Sequence, residues 1–268
     1  MSEPPHAHYD YNPSIAGVVI AITMFTGLLG LHVWRLWQTR TWFCIPFIIG
    51  ALFEIVGYSA RSANHNNIYS FNPFLIQTIL ILLAPILFAA SVYMFLGRII
   101  RTTGRTSYSI LRITWLTTVF VTGDVVCFII QLIGASIMGN GTSQSTRNLG
   151  SAIIMTGLVV QVMIFGFFLA VGIIFHRRMK RGPGSKGSFN WEKYMVSLYI
   201  VSLIITFRNL FRVIEYALGD DGYLLKNEWP TYCFDAVPMA GVLAMCESWY
   251  VGNLGFASGD HELQVPIA

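Results

Sequence analysis

Seven apolar runs, each about the twenty residues that a helix needs to cross a bilayer, decide what this chain can become. They are Ser14–Trp34, Trp42–Ala60, Phe74–Leu96, Ile113–Met138, Leu149–Phe175, Tyr194–Leu218 and Tyr232–Leu254. Inside hydrocarbon every backbone N–H and C=O must find its partner within the protein, and successive apolar runs meet that demand as helices. Composition agrees. Of 268 residues 54% are hydrophobic and 11% charged, where a soluble domain carries about 25% charged residues. The sequence therefore predicts an all-α, polytopic membrane protein of seven transmembrane helices. Short connections predict antiparallel neighbours. The layout is a tail at 1–13, a seven-helix domain at 14–254 and a short tail at 255–268.

Lys and Arg set the orientation. Alternate loops collect Arg35, Arg40, Arg98, Arg101, Arg105, Arg112, Arg177, Arg178, Lys180, Arg181, Lys186 and Lys193 on one side. The other side receives only Arg61, Arg147 and Lys226. This places the amino terminus outside and the carboxyl terminus in the cytosol, and it accounts for the net charge of +4 without nucleic acid as a partner. The polar first twelve residues lack the basic n-region of a cleaved signal, so the first span is expected to act as an uncleaved one. Asn140-Gly141-Thr142 is a glycosylation sequon in a loop assigned outside. Trp34, Trp37, Trp42, Trp191 and Trp229 fall near span ends, where interfacial anchors sit.

Against this apolar background a few ionisable residues stand out. Each is costly at membrane depth, by a few kcal/mol or more, and needs a partner. The sixth run contains Arg208, Arg212 and Glu215, which share one helical face. The second run repeats the spacing with Glu54, Tyr58 and Arg61, and the fourth carries Asp124 and Gln131. Gln161 lies in the fifth run and Asp235 opens the seventh. At 1.5 Å per residue, Glu54 lies about 18 Å from Trp42, Asp124 about 16 Å from Ile113 and Arg208 about 21 Å from Tyr194. In a core about 30 Å thick these fall between the middle and the outer face. Two readings stand. The residues are internal ties, with Arg208 pairing Asp124 or Glu54 and Arg212 pairing Glu215 or Asp235. Alternatively they line an outward-facing polar cavity for a headgroup or a proton. In the third run Pro85 removes a helical hydrogen bond and is a candidate hinge, followed by Ala89, Ala90, Ser91 and Tyr93.

Other signals are negative or local. Cys44, Cys127, Cys233 and Cys246 have no metal or redox spacing and read as small buried apolar residues. His32, His65 and His176 form no ligand pair, so no metal site or cofactor is expected. The Gly-rich loop from Arg177 to Lys193 lacks the full phosphate-loop spacing and reads as a connector. Glu247, in the last run, is an acid that reads either as a snorkelling cap or as part of an inner gate.

Several segments, in this order, resemble the fungal RTA-like family, the lipid-translocating exporters. They are Glu54-Ile55-Val56-Gly57-Tyr58-Ser59-Ala60-Arg61, Leu83-Ala84-Pro85, Ala89-Ala90-Ser91-Val92-Tyr93 and Leu96-Gly97-Arg98. Gly123-Asp124-Val125-Val126 with Gln131, and Gly157 with Gln161, follow. Arg208-Asn209-Leu210-Phe211-Arg212-Val213-Ile214-Glu215 and Tyr232-Cys233-Phe234-Asp235 with Pro238-Met239 complete the set. The resemblance runs from about Tyr11 to Leu254. It implies a seven-helix protein of a fungal membrane, the plasma membrane by analogy, of a kind linked to movement of sphingoid bases, toxic amphiphiles and porphyrins. The chain departs from the family's pattern where Asn and then His-Pro-Gly would close the last span. Here the residues are Cys246-Glu247-Ser248-Trp249-Tyr250-Val251-Gly252-Asn253.

The leading expectation is a transporter or translocase of an amphiphile. Its substrate-binding residues would be Glu54, Tyr58, Arg61, Tyr93, Asp124, Gln131, Gln161, Arg208, Arg212, Glu215 and Asp235. The partners would be membrane lipids or an amphiphilic small molecule, with protons as a second candidate ligand. One alternative is a membrane-embedded cyclase or isomerase using Glu54 and Asp124 as general acids. The other is a seven-helix receptor, which layout alone cannot establish.

Overall fold

The computed structural model describes residues 14–63, 71–141, 143–182, 191–218 and 227–250. Both tails, residues 183–190 of the Gly-rich loop, His65, Lys226, Leu254 and Thr142 of the sequon lie outside them.

Six uninterrupted helices dominate: α1 (Ile15–Thr39), α2 (Ile45–Ala63), α3 (Phe71–Thr102), α4 (Ile113–Asn140), α5 (Gln144–Arg181) and α6 (Trp191–Ala217). Each is long and apolar enough to cross a membrane. A further helical run, 229–249 and here α7, changes type along its length. It passes from Trp229–Thr231 through a π-helical Tyr232–Ala236 to Val237–Cys246 and a final 3₁₀ turn at Glu247–Trp249. No strand occurs among the described residues. The chain is an integral, multi-pass, all-helical membrane protein.

Local chemistry sets the helix ends. Ser14 caps α1 by accepting the Gly17 N–H, and Ser143 caps α5 by accepting that of Thr146. Arg40 closes α1 in the left-handed conformation (φ 51°), its N–H bonded 2.8 Å to the Leu36 carbonyl. With 38 residues, α5 is about 57 Å long and overruns a hydrocarbon core of about 30 Å. Its basic last turn, Arg178, Lys180 and Arg181, extends beyond the apolar stretch.

The packing is inverted relative to a soluble protein. Leu203, Met163, Trp115 and Val237 are exposed, whereas Glu54, Asp124, Arg208 and Asp235 are buried. Sequential helices pack side by side, α3 also touches α6, and α7 closes the bundle between α6 and α1. The center is α3, the most buried of the six helices, and α1 is the least buried. Close contacts need small residues. A Cβ on Gly150 would lie 2.6 Å from the Met138 nitrogen, and one on Gly134 2.8 Å from the Gly150 carbonyl oxygen. These glycines let α4 and α5 touch backbone to backbone.

Two expectations need correction. Trp191 is buried, its ring edge-on to His176 at 5.3 Å, so it is a core residue where an interfacial anchor was expected. Trp34, Trp37, Trp42 and Trp229 are exposed. Cys233 is exposed, unlike the other three cysteines, because the π-helical turn carries it onto the outer surface of the bundle. Pro85 sits buried inside the unbroken helix α3.

Candidate functional site

The polar stripe of α6 finds its main partner on α7. Arg208 Nε donates to Asp235 Oδ1, and Arg212 Nη2 donates to Asp235 Oδ2. One carboxylate is therefore bridged by two guanidinium groups, one per oxygen. Arg212 Nη1 also donates to Glu215 Oε2 at 2.8 Å, and Arg208 Nη2 donates to the Ile81 carbonyl of α3 at 3.0 Å. Asp235 is fully enclosed and lies in the π-helical turn. Such single turns recur at functional sites, since the extra residue re-aims the side chains around it. The expected pairing of Arg208 with Asp124 or Glu54 does not form; Asp235 takes its place.

Facing this cluster from α2 are Glu54 and Tyr58, neither with any solvent exposure. Neither oxygen of Glu54 has a hydrogen-bond partner, and the Tyr58 hydroxyl has none. Tyr58 stacks on Phe25 of α1 at 6.0 Å and on Tyr232 of α7 at 5.8 Å.

Two turns from Glu54 along α2, Arg61 meets Glu228, which is two turns from Asp235 along α7. Arg61 Nε donates to Glu228 Oε1 at 3.4 Å. Glu228 also accepts the Ser14 N–H at 2.8 and 2.9 Å and the Tyr232 hydroxyl at 2.9 Å. This clasp ties α1, α2 and α7 at the end of the bundle where Ser14 lies. A Cβ on Gly17 would lie 2.6 Å from the Tyr232 ring, so α1 is drawn tightly onto it.

The remaining expected residues form separate ties. Tyr93 of α3 donates to Asp124 Oδ2 of α4 at 2.7 Å, inside a ring of Phe120, Phe165 and Phe168. Gln131 Nε2 of α4 donates to Gln161 Oε1 of α5 at 2.8 Å, beside Gly157. Asn140 ends α4.

At the opposite end His32 of α1, fully buried, joins α7. Its Nε2 lies 3.0 Å from the Leu243 carbonyl, which can only accept. That places a proton on Nε2, and Nδ1 lies 2.8 Å from the Tyr250 hydroxyl. Glu247 stands 3.4 Å from His32 and 3.8 Å from Arg35. Sequence reasoning singled out Glu247 without its partner. It passed over Glu228, a loop acid with no apolar context to mark it.

Comparison with known proteins places these helices in a family. The family model described as RTA1 like protein matches residues 47–256. Protoporphyrin uptake protein 1 of Saccharomyces cerevisiae is 36% identical over 213 residues, covering 78% of this chain and 69% of that protein. Protein RTA1 of the same yeast is 34% identical over 197 residues, covering 73% of this chain and 61% of that protein. The sphingoid long-chain base transporter RSB1, also from that yeast, is 24% identical, covering 95% of this chain and 75% of that protein. No solved structure matches.

Proposed function

The chain belongs to the RTA1-like family, and from that premise we propose that it is a translocase of an amphiphilic, lipid-like molecule. The headgroup would pass through the charged layer between α2, α6 and α7 while its tail stays in lipid. The single observation carrying this reading is the enclosed set Glu54, Arg208, Arg212, Glu215 and Asp235 in a multi-pass protein. Ion pairs alone would serve as ties. An acid left unpaired beside them is a poor tie and a good ligand. In this reading 229–249 is a seventh crossing and the Ser14 end faces outside, a direction that the arginine and lysine distribution supports. The plasma membrane is the proposed location. Two of the matched yeast proteins are named for a porphyrin and for a sphingoid long-chain base, which supports an amphiphilic substrate.

The test is leaflet exchange in liposomes holding the purified full chain, a labelled sphingoid base and a labelled phospholipid, with and without a pH gradient. Exchange by the wild type that falls in Glu54→Gln and Arg208→Lys, with both variants folded, supports the proposal. Arg208→Lys keeps the charge but removes the planar fork that reaches both Asp235 and Ile81. Absence of exchange for either lipid refutes the proposal for these two classes.

A further inference from the structure

The seam between α6 and α7, the helices of Arg208 and Asp235, is not packed alike along its length. Beside the charged layer aromatic rings close it: Phe234 of α7 lies 4.9 Å from Phe211 and edge-on to Phe207 at 6.0 Å. Farther from the Ser14 end the seam opens. A cavity of about 400 Å³ lies between Leu203, Ile204 and Phe207 of α6 and Val237, Pro238 and Gly241 of α7. Cavities of about 300–1,000 Å³ hold small ligands. Leu203, Phe207 and Val237 are exposed, so this groove opens sideways, toward lipid.

The lining decides the chemistry of the occupant. None of the six residues offers a charged or hydrogen-bonding side chain, so the groove suits a hydrocarbon chain and no headgroup. Gly241 makes the room. Inside membranes a helical glycine commonly marks the close approach of a neighbouring helix, as Gly134 and Gly150 do. Gly241 has no such neighbour, for nothing lies within 4 Å of the position its Cβ would take. Its missing side chain leaves space in the groove.

Position decides how the chain would lie. Leu203, Ile204 and Phe207 precede Arg208 in α6, and Val237, Pro238 and Gly241 follow Asp235 in α7. Both walls are therefore on one side of the charged layer, away from Ser14. At 1.5 Å per residue the groove reaches about 8 Å from Arg208 and about 9 Å from Asp235. An amphiphile with its polar end in that layer would point its chain along the groove, toward the middle of the bilayer. That is how a lipid of the leaflet on the Ser14 side is oriented.

We propose that this groove binds the hydrocarbon chain of the transported amphiphile while its polar end reaches the Arg208–Asp235 layer. The inference rests on translocation through that layer and adds the place where the chain travels: the α6–α7 seam, at the one stretch that aromatic rings leave open among the described residues.

Photolabelling of the purified full chain in phosphatidylcholine nanodiscs tests occupancy apart from transport. The probes are two single-chain amphiphiles, a sphingoid base and a lysophosphatidylcholine, each with a diazirine in its chain, and labelled residues are mapped by mass spectrometry. At least one probe is expected to label 203–207 and 237–241. An excess of its unlabelled form should lower that labelling several-fold and leave labelling of Val19 and Ile20, on the exposed face of α1, nearly unchanged. Gly241→Leu fills the groove from a position where a Cβ meets no other atom, so thermal unfolding should show it folded. Its side chain takes the room of several methylenes, each worth about fourfold in binding, so groove labelling should fall about tenfold or more. Leaflet exchange in liposomes should fall with it, and Gly241→Ala, the smaller fill, should lower both less. No labelling of the groove, as when a second copy covers the seam, overturns the proposal. So does labelling that the excess does not displace, as by a resident bilayer lipid, or exchange that Gly241→Leu leaves intact. Displaceable groove labelling in a wild type without leaflet exchange would keep the groove as a chain-binding site and sink the translocase.

Discussion

Arg208 donates to the carbonyl of Ile81, and Ile81 is the residue whose carbonyl Pro85 leaves without its helical donor. Proline lacks an N–H, so the acceptor four residues earlier in α3 turns to a side chain from α6. Pro85, expected as a hinge, thus has a visible role of another kind. It supplies a backbone oxygen, inside the membrane, to an arginine that would otherwise hold only Asp235 and a long contact to Asn209. Replacing Pro85 with alanine returns an N–H to compete for that oxygen. A carbonyl has two lone pairs, so both donors can stay, with the bond to Arg208 weakened by the shared acceptor. The melting temperature of Pro85→Ala is therefore expected to be unchanged or higher, since proline costs a helix interior about 3 kcal/mol. Lipid exchange should fall at the same time, as Arg208 is held less firmly. An unchanged exchange rate in a stabler protein would leave Pro85 with no part in function.

Asp235 carries two guanidinium groups, so its removal should cost more than the removal of either arginine. Breaking a buried pair from one side strands a charge, at about 3–5 kcal/mol. Asp235→Ala leaves Arg208 without a carboxylate and Arg212 with Glu215 alone, while Arg208→Ala leaves Asp235 still paired with Arg212. A double-mutant cycle of Arg208→Ala with Asp235→Ala, read by unfolding in detergent, should show the second change costing much less once the first is made. Additive losses would mean that the two side chains are independent.

How much of this could be read from sequence depended on contrast. Arg208, Arg212, Glu215, Glu54 and Asp235 were legible because charges in apolar runs are conspicuous and helical spacing says which share a face. Their pairing was not, because it depends on which helices are neighbours. Asp124 matched the pattern equally well, yet α4 packs on α3, and its Asp124 meets Tyr93 of α3 instead. Glu228 lies in a polar stretch, where an acid attracts no notice. His32 and Glu247 are more than two hundred residues apart and meet only because α7 returns to α1. The Ile81 carbonyl is backbone and carries no sequence signal beyond Pro85 itself.

The glycines divide into two groups with opposite expected responses to alanine. At Gly150 the new Cβ would lie 2.6 Å from the Met138 nitrogen and 2.7 Å from the Gly134 oxygen, both backbone atoms that cannot swing aside. Gly150→Ala should push α4 from α5, stretch the Gln131–Gln161 bond and cost about 2 kcal/mol or more. At Gly27 and Gly30 nothing lies within 4 Å of such a Cβ, and alanine there should stabilise α1 by up to about 1 kcal/mol. Thermal unfolding of the three variants decides it: similar melting temperatures would deny that α4 and α5 touch as closely as described.

The Arg61–Glu228 clasp predicts a direction of access. Glu228 is a hub, accepting from Arg61, the Ser14 N–H and the Tyr232 hydroxyl. Its replacement by alanine removes every acceptor at once, frees the start of α1 and unpins Tyr232 from α2. Arg61 is buried and Glu228 largely so, and truncating one partner of a buried pair costs about 3–5 kcal/mol, so thermal unfolding first checks that Glu228→Ala is folded. The loss at the site is geometric: Tyr58, which stacks directly on Tyr232, loses its cover at the Ser14 end. A thiol placed by Tyr58→Cys in a background without the native cysteines should react slowly with a membrane-impermeant reagent. Adding Glu228→Ala should speed that reaction several-fold, only from the face carrying Ser14. Labelling whole cells against inverted vesicles tells the faces apart. Faster labelling from outside supports both the clasp and the assigned orientation, and faster labelling from the cytosolic face would reverse the orientation while keeping the clasp. Slow labelling from both faces would mean that Glu228 does not govern access to the charged layer.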